Sequence, residues 1–396
     1  MATQAATPPA PAAQDRGYVV RHALAQLLFW SAFYYLLPAV LPHMLRDTGW
    51  SPVAVSAAVS AGFLVWAMLC PLAGSAVDRG WGPRGLRLAG VGGAALLLIA
   101  ALGQSLWAVA AALVLLGAPM AMSLYDPCFS LMIRRFGPAA RRPIVAVTLL
   151  AGFATLLTFP LVSGLAAAGL GWQWILVAFA GLALLGVLLL PPEPADTPAP
   201  EARQTPGAAA PGGRTLVFGL AFALLMFGHA ALLFQLPVQL AETRGLVNAL
   251  VLPMVLGPAQ IAGRLAWERM QGGLGLERAA LGLFTVMLLP PLVLLGGAGM
   301  GLGLLALVIQ GGCYGVHTIL RPLLAAHWLP QAGFARRLGV IAMIGLLMMA
   351  AAPAAGAWAA AVFGLFGLLA LVFLADLAGL ALLAGLVLRA RREGWA

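Results

Sequence analysis

The chain has 396 residues, 62% hydrophobic and 9% charged, with a formal net charge of +10. Soluble domains carry about 45–50% apolar and about 25% charged residues, so this composition excludes an ordinary water-soluble fold. Nor is the positive balance a nucleic-acid footprint: all 22 basic residues are Arg, clustered between apolar runs rather than along a soluble face. The prediction is an all-α polytopic membrane protein with the lipid bilayer as its solvent.

The chain opens on MATQAATPPAPAAQDRG, a polar Pro/Ala-rich stretch expected to form a disordered tail over 1–17. It lacks the charged start and short apolar core of a cleaved signal. Apolar runs long enough to cross about 30 Å of hydrocarbon follow. The first six spans fall near 20–43, 52–77, 86–105, 107–133, 143–168 and 172–190. The linker 191–214, PPEPADTPAPEARQTPGAAAPGGR, is too polar and Pro/Gly-rich to fold. Six more spans are predicted near 215–240, 247–268, 279–299, 301–328, 338–362 and 364–388, ahead of a short tail at 391–396. Twelve transmembrane helices in two six-helix bundles, 18–190 and 215–390, are therefore expected.

Arginine sets the orientation. With the N-terminus inside, 19 of the 22 arginines are cytoplasmic; Arg46 and Arg244 lie outside and Arg321 within the membrane. This satisfies the positive-inside rule and puts both termini and the linker in the cytoplasm of a cell whose inner membrane the chain crosses.

Two charges break the apolar pattern. Asp126 lies in LVLLGAPMAMSLYDPCFSLMI and Arg321 in LALVIQGGCYGVHTILRPLLAA. A charge at the bilayer centre costs roughly 2.5–3.5 kcal/mol on insertion scales, and such groups pair or line a wet cavity. The two positions correspond. ARRPIVAVTLL at 140 is echoed by ARRLGVIAMIG at 335, an offset of 195, and 126 + 195 = 321. GSAVDRGWGPR at 74 is echoed by GRLAWERMQGG at 263, with Asp78 set against Glu268. Repeats of this kind, related by an axis along the membrane normal, are a transporter signature.

The segment GSAVDRGWGPR resembles the signature of the major facilitator superfamily, G-x-x-x-D-R-x-G-x-[RK]-[RK], between spans two and three. Gly74, Asp78, Arg79 and Arg84 occupy its positions, and Gly263, Arg264, Glu268 and Arg269 form a degenerate second copy. The resemblance implies a cytoplasmic gate at Gly74, Asp78, Arg79, Arg84, Arg264, Glu268 and Arg269. Within the family, YYLLPAVLPHMLRDTGWSPVAVSAAVS, LYDPCFSL and LGPAQIAGRL are similar to the monocarboxylate/oxalate-formate branch and to bacterial arsenite-efflux-like permeases. The Arg that holds carboxylate in monocarboxylate carriers is replaced by Gln260, with Arg264 one turn nearer the cytoplasm.

The residues expected to do the work follow from chemistry. Burial disfavours an ionised carboxylate while a nearby Arg favours it, so Asp126 moved between those settings would load and unload protons. A static Asp126–Arg321 pair is the structural alternative. Arg321 offers fixed donors for an anionic solute. His317 and Cys313 precede it at four-residue steps, on one face of span ten, and His317 titrates near neutrality in its ordinary state. His229 is the other midspan titratable group. Either His equally suits a helix–helix hydrogen bond. Tyr34, Tyr35, Tyr125, Gln26 and Gln260 would add polar groups to a solute site, whereas Asp376 in span twelve is placed in packing. Cys128 and Cys313 suit a soft metal or metalloid if they share a cavity, but also serve as small apolar residues.

The function expected is a secondary active transporter for a small polar or anionic solute, proton-coupled, working by alternating access as a monomer, without cofactor or metal. Alternatives are an efflux permease for arsenicals or drug-like compounds and a non-transporting receptor or scaffold. An enzyme would need a catalytic cluster such as H-E-x-x-H, and the sequence has none.

Overall fold

A computed structural model describes residues 13–191, 212–270, 275–297, 299–329 and 334–394. The expected N-terminal tail up to 12, the linker over 192–211 and residues 395–396 lie outside the described residues, as do the side chains of Asp78 and Glu268. Eleven helices among the described residues are long and apolar enough to cross a bilayer. They are α1 (Asp15–Thr48), α2 (Pro52–Ala76), α3 (Arg79–Leu102), α4 (Leu106–Phe136), α5 (Arg142–Ala167) and α6 (Trp172–Leu189). The second half of the chain gives α7 (Gly213–Ala241), α8 (Ala249–Trp267), α9 (Leu276–Leu295), α10 (Met300–Trp328) and α11 (Val340–Glu393). The described residues contain no strand.

Local chemistry sets the ends. Ser51 and Ser105 accept hydrogen bonds from the Ala54 and Ala108 amides and so cap α2 and α4. Helix extends past the expected bundle limits at both ends of the described chain. Helix begins before residue 18, because Asp15 complements the first turn and pairs with Arg135 at 3.2 Å. At the other end α11 continues through 391–393 instead of ending in a tail, since Arg391 pairs with Glu277 at 3.3 Å and Arg214 with Glu393 at 3.9 Å. The spans read at 338–362 and 364–388 coincide, from 340 on, with the single helix α11, where Gly364 alone leaves the helical region, at φ 63° and ψ −156°.

Prolines interrupt hydrogen-bond ladders, and neighbouring helices take up the carbonyls they free. Pro127 cannot bond Ser123, whose carbonyl accepts from Gln26 Nε2 at 2.7 Å. Pro258 leaves the Met254 carbonyl to Thr155 Oγ1 at 3.2 Å. Glycines let backbones approach: a Cβ at Gly117 would overlap the Gly62 carbonyl of α2, and one at Gly315 the Gln260 carbonyl of α8.

The halves of the chain meet along α2–α11, α5–α8, α1–α7 and α1–α8. These contacts concentrate at the face opposite the arginine-rich turns. Gln235 Nε2 donates to Ser56 Oγ at 3.0 Å and to the Pro353 carbonyl at 2.9 Å, and the Ala354 amide donates to Ser60 Oγ at 3.0 Å. At the arginine-rich face, Arg21 donates to Leu189 O (2.7 Å), Arg134 to Val77 O (2.7 Å) and Arg214 to Trp328 O (3.0 Å), each within its own half. Among the described residues, the seam is tied at the end opposite the arginine-rich turns.

Candidate functional site

Between the halves, on the arginine-rich side of those seam contacts, lies a hollow of about 200 Å³. Helix irregularities shape its wall. In α1 the aromatic run WSAFYY forms a π-turn over Trp30–Tyr35, with the Leu36 amide bonded back to Ser31. Pro38 removes the donor that would bind the Tyr34 carbonyl, and wide turns of this type mark functional helices. The turn brings Trp30, Tyr34 and Tyr35 to the hollow. In α4, Leu124 is extended (φ −83°, ψ −158°), and the chain re-enters helix at Tyr125 with Asp126 in the first turn. That break, braced by Gln26, presents Tyr125 and Asp126 to the cavity.

The first half contributes five aromatic rings: Trp30, Tyr34, Tyr35, Trp66 and Tyr125. They brace one another, with Trp30 centred 4.5 Å from Tyr125 and 6.1 Å from Trp66. Facing them, His229 of α7 stacks on Tyr314 of α10 at 3.7 Å and 7°. Tyr314 in turn lies parallel to His317 at 5.4 Å. From α8 come Gln260 and Arg264. Arg264 Nε donates to the Gly315 carbonyl at 3.4 Å, and Tyr35 faces Gln260 across the seam.

The wall is unequal in polarity. Asp126, exposed to the hollow, is its one carboxylate, and the Cys70 thiol lies 4.0 Å from Oδ2. With it in the wall stand the Arg264 guanidinium and three buried nitrogens without a partner among the described residues, Trp30 Nε1, Gln260 Nε2 and His229 Nδ1. Leaving a buried donor unmade costs about 1–3 kcal/mol, so acceptors brought by a solute are favoured here.

Several residues lie elsewhere than the sequence reading expects. Gln26 is buried at the α1–α4 contact, bonded to Ser123 and away from the hollow. Arg321 sits behind the wall, its Nη1 3.5 Å from the Met226 sulfur. No ion pair joins Arg321 to Asp126 among the described residues, though each charge feels the other's field. His317 is buried, with Nε2 3.1 Å from the Phe222 carbonyl. Cys128 and Cys313 share no cavity. Cys128 is in the core of the first half, and Cys313 lines a separate groove with Trp267 and Val286. Four-residue steps drift by about 40° each, so the face of span ten that meets the hollow carries Tyr314 and Thr318 instead of Cys313.

Of the signature residues, Arg79 and Arg84 are exposed and make no hydrogen bond or ion pair among the described residues. Gly74 has open space where a Cβ would stand, and Arg269 bonds the Leu265 carbonyl of its own helix at 3.4 Å. Asp376 is fully buried beside Gly228, with neither oxygen partnered. Sequence reasoning missed Trp30, Trp66 and Tyr314. Only Tyr314 left a signal, lying seven residues, two helical turns, before Arg321.

Eleven apolar helices among the described residues, with a hollow between the halves, define a multi-pass membrane protein. The model of the Major Facilitator Superfamily matches residues 23–295, and the chain belongs to that family of transporters. Solved structures agree in fold at low identity. The nucleoside transporter NupG is 14% identical with TM-score 0.73, covering 95% of this chain and 98% of its own. A D-xylose-proton symporter gives 15% and 0.68, covering 92% and 97%. The human organic anion transporter MFSD10 gives 19% and 0.68, covering 95% and 100%. No curated protein matches the chain in sequence.

Proposed function

We propose that the chain is a proton-coupled carrier of a small organic anion. The supporting observation is the wall of the hollow, where the one carboxylate described there, from the first half, faces the Arg264 guanidinium, Gln260 and His229 from the second. Arg264 is the solute anchor. Its guanidinium stands one helical turn from Gln260, the position that carries the anion-binding Arg in the monocarboxylate branch. Arg321 acts from behind, tuning the field in which Asp126 gains and loses its proton. Relatives by fold include a proton symporter and an organic anion transporter, which agrees with both parts of this reading.

The architecture proposed is twelve spans in two bundles, 18–190 and 215–390. A 54-residue helix would extend about 80 Å at about 1.5 Å per residue, far beyond one bilayer, so α11 divides at Gly364 into two spans. With the arginine-rich face and both termini cytoplasmic, the hollow opens inward. The test uses proteoliposomes loaded with a pH dye. Addition of a transported carboxylate should change the internal pH, and Asp126→Asn should abolish that change while binding persists. A full pH response in Asp126→Asn would remove Asp126 from the proton path.

A further inference from the structure

The hollow carries more chemical information than an anion site needs. Four of its rings, Trp30, Tyr35, Tyr125 and Tyr314, are only half-buried and still line the cavity. Stacked neighbours fix the planes of several rings in the wall. Tyr125 stacks on Phe129 at 4.9 Å and 14°, Tyr34 on Phe63 at 5.5 Å and 19°, and Tyr314 on His229 at 3.7 Å and 7°. Aliphatic residues would line an apolar pocket as well, at no directional cost. Rings held in fixed planes select a partner whose own ring can stack or meet them edge-on.

Size narrows the choice. A cavity of about 150 Å³ takes up benzene, whereas drug-sized ligands occupy pockets of about 300–1,000 Å³. At about 200 Å³ this hollow holds one ring and a small substituent. Polarity supplies the substituent. Arg264 and Gln260 neighbour each other on one face of α8, a donor pair suited to a carboxylate, and the wall offers only Asp126 as an opposing charge.

We propose that the transported solute is a monocyclic aromatic carboxylate, its ring among Trp30, Tyr35, Tyr125 and Tyr314 and its carboxylate on Arg264 and Gln260. This rests on the reading of the hollow as a solute site. It goes beyond it in naming the ring.

The decisive comparison is benzoate against cyclohexanecarboxylate, measured by titration calorimetry on purified protein in nanodiscs. The two share their charged group, but the saturated ring is larger and more apolar. Simple hydrophobic burial therefore ranks it first, while aromatic selection ranks benzoate first. Benzoate is expected to bind on the order of tenfold tighter, the effect of one or two well-placed ring pairs. Tyr125→Leu should erase the preference, Tyr125→Phe should keep it, and Arg264→Gln should weaken both ligands. Equal affinities, or a preference for the saturated ring, would overturn the aromatic assignment and leave the carboxylate site standing. If neither acid binds, or both bind Arg264→Gln undiminished, the underlying anion site falls as well.

Discussion

Gly257→Ala tests the seam most directly. At this position α8 leans against α5 beside the hollow, whose wall includes Gly152. An added methyl would overlap the Gly152 carbonyl and come within 2.6 Å of Thr155 Oγ1. Cβ contacts under 3.0 Å are essentially never seen, so the two helices must part. Parting breaks the bonds that Thr155 makes there, to the Met254 carbonyl at 3.2 Å and from the Gly257 amide at 3.1 Å. Overpacking costs about 1–3 kcal/mol and each hydrogen bond about 0.5–1.5 kcal/mol. Even the lower figures sum to about 2 kcal/mol, roughly a thirtyfold shift away from the present conformation. The penalty falls between the halves and leaves the interior of each untouched, so the protein should stay folded and change its resting state. Spin labels at Asp47 and Phe363, on opposite halves near the tied face, report the change by pulsed dipolar spectroscopy once Cys70, Cys128 and Cys313 are replaced. The distribution should gain a longer-distance population. Gly282→Ala is the control, since its methyl would meet nothing within 4 Å. Identical distributions for the two variants would refute the assignment of Gly257 to a moving seam.

Two further substitutions probe stability. Gln235→Leu strips both bonds to Ser56 and Pro353 from a residue 1% exposed; each orphaned partner costs about 1–3 kcal/mol, so the melting temperature in detergent should fall by several degrees. An unchanged melting point would show that this tie contributes little. Gly364→Ala forces a side chain into a backbone region that only glycine occupies readily, at about 1–3 kcal/mol. Nothing lies near the new methyl, so any loss of thermal stability there reports backbone strain alone.

Much of the site was legible residue by residue. Tyr34, Tyr35, Tyr125, Asp126, His229 and Gln260 were named from type and position, and all line the hollow. Arg264 was assigned to the gate through the loop signature and lines the hollow too. Gln26 misled because an amide in a membrane helix can serve a solute or a freed carbonyl equally well. Noticing that Ser123 stands four residues before Pro127 would have favoured the second. Trp30 and Trp66 carried no signal, since tryptophan in an apolar run reads as lipid-facing or core.

The chain's membrane character and the approximate extent of its helices follow from the sequence alone. The bilayer acts on each residue locally, and twenty apolar residues have one stable answer in it. Which side of each helix turns inward could not be read that way. That rotation is set by neighbours through the π-turn at Trp30–Tyr35, the break at Leu124 and the glycine contacts of α8 with α5 and α10. A few tens of degrees there exchange Cys313 for Tyr314 in the wall, and only packed helices fix an angle that fine.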